Sequence, residues 1–279
     1  MRIWNDGSHP RQHADLWYAA DMDAKVLAAG MRTIHNTLNM ASPRIAERLT
    51  IGPFDLTINP AGREEFPAHN RNRATALVGE PPALDEIERT ISAFRSRGID
   101  RFFLWLATGM DTPQVLSSME RCALKQWPFV RYVALARPAG NPAPADSTLE
   151  VVRLVPEQSV VKEADVAAVY GNDMAARGFF ATLGLEGCWH FVAMDQGVVA
   201  AASLLLTSGP IGYLGWSTTR EGYRRKGGQA ALIETRLRLA AELGCTVCVS
   251  ETNTAVEGSL RNLLRAGFKP AYEYRVFGP

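Results

Sequence analysis

The chain has 279 residues, of which 47% are hydrophobic and 21% charged, and its 30 Lys and Arg residues nearly balance its 29 Asp and Glu residues. This length is typical of about two domains, and the hydrophobic content is enough for a substantial core. The small net charge and the scattered cations argue against a broad nucleic-acid-binding surface but leave room for a local basic pocket.

Two further features concern the compartment. No apolar run approaches the roughly 18 residues of a membrane span, and the N-terminal stretch lacks the apolar core of a signal peptide. We therefore expect a cytoplasmic protein without membrane contacts. The CxxC spacing of Cys245 and Cys248 is that of a redox or zinc site, but TVCVS indicates a strand and no second CxxC occurs. We interpret these two cysteines as buried small residues, and we expect no disulfide framework from the four cysteines, which include Cys122 and Cys188.

The first half of the chain contains a predicted alternation of helices and strands. A long helical segment over residues 13–31 comes first, and FDLTI (54–58) indicates a strand. In chain order, the pattern then predicts a strand over 72–79, a helix over 83–98, a strand over 99–107, a helix over 112–124 and a strand over 130–138.

A stretch rich in Pro, Ala and Gly, Arg137–Thr148, separates the two halves. Its prolines favour an extended, semi-rigid linker. We therefore predict an N-terminal domain over residues 1–137, a linker over 138–148 and a C-terminal domain over 149–279.

The second half shows a clearer order of elements. A strand is predicted over 149–155, one or two helices between 156 and 183, and paired strands over 188–197 and 198–209 around a turn at Gln196-Gly197. Further along, we predict a strand over 211–219, a helix from Ala230 that Gly244 ends, a strand over 245–250, a helix over 258–267 and a strand over 273–278. Strands that alternate with helices require parallel crossovers, which predicts a mixed α/β domain.

Charged and flexible residues stand together at the start of the helix that follows the strand over 211–219. They are Arg224, Arg225, Lys226, Gly227 and Gly228. The first amides of a helix have no intrahelical partner, and the helix dipole adds partial positive charge there. Glycines remove the Cβ atoms that would keep a phosphate from the backbone, and the cations suit a multiply charged anion. A solvated basic turn is the alternative when this motif is taken alone.

Other phosphate-binding and nucleophile motifs are missing from the sequence. There is neither the GxxxxGK(S/T) pattern of a Walker A site nor a GxGxxG dinucleotide fingerprint. The run GWSTT is not a GxSxG elbow, because Thr219 stands in place of the last glycine.

The run YRRKGGQAALI after YLGWSTT resembles the acyl-CoA loop of the GNAT N-acetyltransferase superfamily, whose pattern is Arg/Gln-x-x-Gly-x-Gly/Ala. Arg224 matches the first position and Gly227 the fourth, whereas Gln229 departs from the sixth. The run LRNLLRAGF, Leu260–Phe268, resembles the helix and GF turn that follow the next strand in that family. The resemblance covers roughly Leu149–Pro279, and the first half resembles a degenerate copy of the same fold without the loop.

This resemblance implies an α/β fold with a mixed, mostly antiparallel sheet, one splayed pair of parallel strands and flanking helices, in two similar units in tandem. It implies that backbone amides of residues 225–230 cradle the pyrophosphate of acetyl-CoA, with the pantetheine arm beside the strand ending in GWSTT. The residues expected to bind this cosubstrate are Trp216, Ser217, Thr218, Arg224, Arg225, Lys226, Gly227, Gly228, Gln229 and Ala230. We expect one acetyl-CoA per chain, because no helix start in the first half offers paired glycines beside clustered cations.

The implied activity is direct transfer of an acetyl group from acetyl-CoA to a primary amine of a small molecule or a peptide. Such transfer needs a base for the amine, a proton for the thiolate and a donor for the oxyanion. Many relatives use a glutamate on the strand before the loop, where this chain has Tyr213, and a tyrosine four residues before the GF pair, where it has Leu263.

The candidate catalytic residues are therefore Glu251, Tyr213 and Glu221, with Tyr272 and Tyr274 as fallbacks for the acid. A solvated surface carboxylate is the alternative interpretation of Glu251 and Glu221, and strand packing is that of the two fallback tyrosines.

The histidines suggest no further site. His190 alternates with Val192 and Met194, as in a core or edge strand. His9 and His13 have the i,i+4 spacing of a metal pair, but Pro10 and the lack of acidic or cysteine partners favour a surface segment, and we predict no metal.

The missing glutamate and tyrosine leave a second function open, a non-catalytic acyl-CoA-binding sensor or partner-binding protein. The expected partners are acetyl-CoA and an amine acceptor, without nucleic acid, and the chain is expected to be a monomer or a homodimer.

Overall fold

The computed structural model describes residues 24–40, 47–60, 72–77, 79–127, 131–140, 142, 144–156, 161–171 and 173–279. Its helices are α1 (Ala24–Met40), α2 (Leu84–Arg95), α3 (Pro113–Arg121), α4 (Glu163–Tyr170), α5 (Asp173–Ala181), α6 (Gly228–Glu242) and α7 (Glu257–Arg265). Its strands are β1 (Glu47–Ile51), β2 (Phe54–Ile58), β3 (Arg73–Ala76), β4 (Phe103–Ala107), β5 (Lys125–Gln126), β6 (Tyr132–Pro138), β7 (Glu150–Leu154), β8 (Cys188–Asp195), β9 (Val198–Ser208), β10 (Ile211–Thr219), β11 (Val247–Asn253) and β12 (Lys269–Gly278).

The predicted elements from β2 to β12 are confirmed, with shifts of a few residues at their ends. Two short strands, β1 and β5, were not predicted; neither buries a side chain fully, so neither has the apolar pattern that marks a strand. The first predicted helix overlaps α1, but residues 13–23 lie outside the described residues and α1 continues to Met40. Buried Met31 and Ile34, three residues apart on one face, anchor this continuation.

One sheet runs through the described part of the chain, in the order β1-β2-β3-β4-β12-β6-β11-β10-β9-β8-β7, with β5 beside β12. Two neighbouring pairs are parallel, β3 with β4 and β10 with β11. The connection between each parallel pair contains a helix, α2 in the first case and α6 in the second. The same strand–helix–strand unit therefore occurs once in each half of the chain, in an otherwise antiparallel sheet.

The two halves exchange their last strands. Strand β6, from the first half, pairs with β11 and with the beginning of β12, both from the second half. The end of β12 pairs in turn with β4 and β5 of the first half. The domain boundaries at residues 137 and 149 remain a prediction, and the sheet is continuous across them.

Helix α1 packs against the middle of this sheet. Its Gly30 lies so close to β10 that a Cβ atom there would be 2.2 Å from Cδ1 of Ile211. The same face of the sheet holds a hydrophobic cluster that includes Met31, Ile34 and Tyr213. Close packing at Gly30 brings the next turn of α1, with His35, towards the strands β10 and β11.

Three of the four cysteines are interior residues. Cys188, Cys245 and Cys248 are buried free thiols and Cys122 is partly exposed. Burial raises the pKa of Cys248 to about 12. Cys245 precedes β11 instead of lying in it, so the predicted strand starts two residues too early. No helix in the described ranges has the length and apolar character needed to cross a bilayer.

Candidate functional site

The loop between β10 and α6 has an unusual backbone conformation. Arg225 has φ of 69° and Gly227 has φ of 78°. A positive φ costs little for glycine but is uncommon for arginine, so the loop is held in a specific shape. Gly227 forms the N-cap of α6 without any side-chain capping bond.

The backbone amides of this loop are available to a ligand. The amide of Ala231 donates the first bond of α6, to the carbonyl oxygen of Gly227 at 3.0 Å. The amides of residues 225–230 donate no hydrogen bond to any part of the chain that the structure describes. Consecutive free N–H groups at the positive end of a helix favour an anion.

The three cations of the loop are not equivalent. Lys226 forms an ion pair with Asp195 at 2.8 Å and lies over the ring of Tyr223 at 4.9 Å. Arg224 and Arg225 are exposed, and neither forms an ion pair with a described residue. The uncompensated charge at this loop therefore comes from the two arginines.

The two glycines have a different role from the predicted one. A Cβ atom on Gly227 would lie 2.2 Å from the carbonyl oxygen of Asp146, and one on Gly228 would lie 2.9 Å from Cδ1 of Leu149. The space beside Gly227 is thus filled by the linker, and that beside Gly228 by Leu149 just before β7, so neither glycine opens a phosphate approach. The expectation that they clear the way for a phosphate is wrong. They allow the linker to pack on the loop, and the hydroxyl of Ser147 donates to the carbonyl oxygen of Lys226 at 3.4 Å.

Strands β10 and β11 separate beside this loop, as predicted for a splayed pair. Their parallel register runs only from Ile211 to Tyr213, although β10 continues to Thr219. Beyond this point the Ser250 hydroxyl donates to the carbonyl oxygen of Leu214 at 2.7 Å. The register of β10 with β9 shifts between Gly215 and Thr218. Beyond Tyr213 the two strands leave a cleft between them, which the backbone of β10 borders. Trp216, with φ of 49°, lies at the irregularity in the pairing of β10 with β9.

A buried cation and a tyrosine fix this irregularity. Arg236 of α6 is 1% exposed and donates to the carbonyl oxygens of Leu204 and Gly215 at 3.2 and 3.4 Å. Burial lowers the pKa of its guanidinium to about 9, so it stays charged at neutral pH. The Tyr170 hydroxyl donates to the carbonyl oxygen of Trp216 at 2.5 Å. The carbonyl oxygens of Gly215 and Trp216 on β10 therefore already have donors and are not free acceptors in the cleft.

Glu251 on β11 is the centre of a polar cluster. Its Oε1 accepts from the hydroxyls of Tyr272 at 3.2 Å and Tyr274 at 2.8 Å. Its Oε2 accepts from the hydroxyl of Tyr213 at 3.3 Å and lies 3.0 Å from Nε2 of His35. A carboxylate offers about four lone-pair sites. These contacts use them all.

The cluster keeps Glu251 ionised. Burial raises the pKa of its carboxyl, but the charge and hydrogen bond of His35, the hydroxyl of Tyr274 and the charge of Arg73 outweigh burial and lower the pKa to about 2. Burial, together with the Glu251 charge, raises the pKa of the hydroxyls of Tyr213 and Tyr274. An ionised Glu251 can only accept, so Nε2 of His35 donates in their bond; in the neutral form of the imidazole, Nδ1 is then an acceptor.

A cavity of about 70 Å³ lies beside this cluster. Both halves of the chain contribute to it. Its lining residues are His35, Arg73, Thr75, Trp105, Tyr132, Glu251 and Tyr274. Arg73 and Trp105 lie on β3 and β4, whereas Glu251 and Tyr274 lie on β11 and β12. The strand exchange thus brings the parallel pair of the first half next to the site in the second half.

Tyr213 links the cavity to the irregular strand. Its ring packs on Gly215, where an added Cβ atom would lie 2.4 Å from Cε1 of the ring. Its hydroxyl reaches Glu251. The cleft between β10 and β11 and the cavity are therefore neighbours.

The predicted site residues fall into two groups. Tyr213, Glu251, Tyr272 and Tyr274 come together in the cluster, and the Glu251 side chain is 13% exposed, so Glu251 is a largely buried carboxylate and not a solvated one. Glu221 is exposed in the turn before the loop and shares none of the cluster's hydrogen bonds.

The remaining predicted binding residues lie on β10 and at the start of α6. Gln229, in the first turn of α6, donates to the Thr219 hydroxyl at 2.9 Å. Trp216, Ser217 and Thr218 lie on the irregular part of β10, and Ala230 is exposed in the first turn of α6.

The other residues singled out in the sequence are structural or lie elsewhere. Leu263 lies in α7, on the buried face of that helix. His190 is fully buried against Phe179 and Thr182, and burial lowers its pKa to about 4. His9 and His13 lie outside the described residues, and no group of metal-ligating side chains occurs within them.

His35 and Arg73 were not found from the sequence. His35 lies in the part of α1 beyond the predicted helix end, and Arg73 begins a strand predicted for its apolar residues. Only the strand exchange and the packing of α1 bring them to Glu251, and no local motif carries that information.

No protein-family model matches the chain, and no curated protein sequence matches it. Solved structures do resemble it. A GCN5-related N-acetyltransferase from Kribbella flavida is 20% identical, with a TM-score of 0.63 over 93% of this chain and 96% of that chain. One from Sphaerobacter thermophilus is 16% identical, with a TM-score of 0.55 over 95% and 92%. A tandem GNAT protein from the clavulanic acid biosynthesis pathway is 14% identical, with a TM-score of 0.57 over 87% and 88%. The chain therefore has the fold of the GCN5-related N-acetyltransferases, as the sequence resemblance implied.

Proposed function

We propose that the protein is an acyl-CoA-dependent N-acyltransferase that moves an acetyl group from acetyl-CoA to a primary amine. The observation that carries this proposal is the row of free amides over residues 225–230 at the edge of a splayed strand pair. A diphosphate fits this row, and the exposed Arg224 and Arg225 supply charge for it. Because β10 no longer pairs with β11 beyond Tyr213, a pantetheine arm can lie along this edge of β10.

The cavity beside Glu251 is the proposed acceptor site. It adjoins the end of the open strand through Tyr213, so an amine held there would meet a thioester carried along β10. Pockets between two units of a chain are common ligand sites.

We assign the role of general base to His35. Glu251 is ionised and its lone pairs are occupied by its neighbours, which argues against a direct role as the base. Its bond to Nε2 of His35 selects the tautomer with an acceptor at Nδ1. Glu251 is thus a positioning residue, which also stabilises the imidazolium formed after proton transfer.

The chemical step follows from these roles. The lone pair of the neutral amine forms a bond to the thioester carbonyl carbon, and the oxygen takes the negative charge. Nδ1 of His35 accepts the amine proton, and the C–S bond breaks as the carbonyl re-forms. The thiolate leaves as such or takes a proton from solvent, since a thiolate has low proton affinity. Hydroxyls of the tyrosine cluster are poor acids, because burial and Glu251 raise their pKa.

A kinetic experiment tests the proposal. Release of free CoA thiol from acetyl-CoA is measured with a panel of primary amines, and kcat/KM for the best acceptor is then recorded against pH. We expect His35→Gln to lower kcat by roughly 10²-fold or more without an acid limb in the profile. Glu251→Gln is expected to lower kcat similarly, because the charge that stabilises the imidazolium formed on proton transfer is gone. Acetyl-CoA affinity should stay nearly unchanged in both variants.

The same experiment judges the alternative of a non-catalytic acyl-CoA sensor. Tight binding of acetyl-CoA without thiol release for any amine would support that alternative. A wild-type pH profile in His35→Gln would remove His35 from the mechanism.

A further inference from the structure

We propose that the acceptor is a small amino acid whose carboxylate binds Arg73 in the cavity beside Glu251. This inference rests on the proposed acyltransferase function and names the substrate class of that site. It starts from the charges that line the cavity. Among the described lining residues these are Arg73, Glu251 and, when protonated, His35.

The negative charge in the cavity already has its partners. Both oxygens of Glu251 accept two contacts each, from three tyrosine hydroxyls and from His35. A protonated amine would find no free lone pair on this carboxylate, and Arg73 would repel it. The cavity is therefore poorly suited to a simple amine without an anionic group.

The charge of Arg73 contributes to the lowered pKa of Glu251, but its guanidinium is not paired in this way. Its guanidinium carbon lies 5.3 Å from the centre of the Trp105 ring. Within the part of the chain that the structure describes, Arg73 forms no ion pair, and its side chain makes no hydrogen bond. A guanidinium supported by an aromatic ring keeps its N–H groups for a bidentate carboxylate.

The size of the cavity restricts the ligand further. Its volume of about 70 Å³ holds roughly five water-sized atoms, by the space that one water needs. The head of an α-amino acid has this size, with its amine, its α-carbon and its carboxylate. The hydroxyl of Thr75 also lines the cavity and can donate to a carboxylate. With the carboxylate at Arg73, the amine of the same molecule would be held towards His35, where the proposed transfer takes place.

Matched pairs of compounds test this inference. Glycine and methylamine, and L-alanine and ethylamine, differ only in the carboxylate. Each is titrated by calorimetry into the full chain saturated with CoA, which allows no transfer, and each is assayed for thiol release with acetyl-CoA. The variants are Arg73→Gln and, as an exposed control in the same half, Arg121→Gln.

We expect at least one amino acid to bind and to react with a kcat/KM at least roughly 10²-fold above that of its decarboxylated partner. Arg73→Gln should abolish this preference and leave acetyl-CoA affinity unchanged, whereas Arg121→Gln should change neither. The inference is overturned if no amino acid binds, if the simple amines react equally well, or if Arg73→Gln keeps the preference. Turnover of simple amines alone would preserve the acyltransferase proposal, whereas a chain that binds acetyl-CoA and reacts with neither class would contradict both.

Discussion

At the scale of single residues, the contacts of Glu251 decide which group can take a proton. A carboxylate that accepts from three hydroxyls and an imidazole is stabilised as an anion, which makes it a weak base. The nearby imidazole of His35 has an acceptor nitrogen in the tautomer that this anion selects. His35 and Glu251 are 216 residues apart in sequence, so the pair exists only in the folded chain.

The lowered pKa of Glu251 predicts a specific acid sensitivity. Its folded-state pKa of about 2 lies below its ordinary value of 4.5. Folding therefore gains from the ionised carboxyl above about pH 4.5 and loses this gain as the pH falls towards 2. We expect the free energy of unfolding of the wild type, relative to that of Glu251→Gln, to fall on acidification by at most about 1.4 kcal/mol per pH unit.

Denaturant titrations of both proteins between pH 7 and pH 3 measure this difference. Glu242→Gln, at an exposed position, is the control and should follow the wild type. A constant difference between the wild type and Glu251→Gln would show that the carboxyl is not stabilised as an anion.

At the scale of elements, the loop before α6 depends on the linker that crosses it. The Asp146 carbonyl and Ser147 occupy the space beside Gly227, whose backbone is left-handed. The carboxylate of Glu234 on α6 also accepts from the amide of Ala145 at 2.6 Å. The linker is therefore part of the loop's support and not only a connection between two units.

A substitution at Gly227 should consequently affect both stability and binding. We expect Gly227→Val to lower Tm by several degrees and to weaken acetyl-CoA binding by an order of magnitude or more, because the loop and linker can no longer pack. Gly222→Val is the matched control, since nothing lies within 4 Å of a Cβ atom added there. Thermal scans and calorimetry on both variants measure the two effects, and unchanged Tm and affinity in Gly227→Val would contradict the contact with Asp146.

The sequence predicted most elements and singled out the loop before α6 that is proposed to bind the cosubstrate, because both have local signals. Apolar periodicity marks β9, β10 and α6, and paired glycines after clustered cations mark the loop. The acceptor side has no such signal. Arg73 and Trp105 come to Glu251 through pairing between strands that are far apart in sequence, and His35 comes through the close packing at Gly30. The role of the glycines was misjudged for the same reason, since their neighbours belong to the linker.

At the scale of the whole molecule, the exchange of β6 and β12 joins two halves that differ at the helix end where an anion would bind. The unit in the second half has the open loop with free amides before α6. The corresponding helix of the first half, α2, has acidic residues in its first turn, and the carboxylate of Glu86 accepts from the amide of Ala83 at 2.8 Å. This carboxylate occupies the end of α2 where an anion would bind, so the first half is unsuited to a diphosphate. Its contribution is to the cavity, through β3 and β4.

The central claim is that each chain forms one acyl-CoA site, on the loop before α6, which serves one acceptor cavity between the halves. Calorimetric titration of the full chain with acetyl-CoA tests it most directly. The account predicts one equivalent per chain and a loss of affinity of roughly tenfold or more in the double variant Arg224→Ser/Arg225→Ser. Two equivalents per chain, or an affinity that this double variant leaves unchanged, would contradict it.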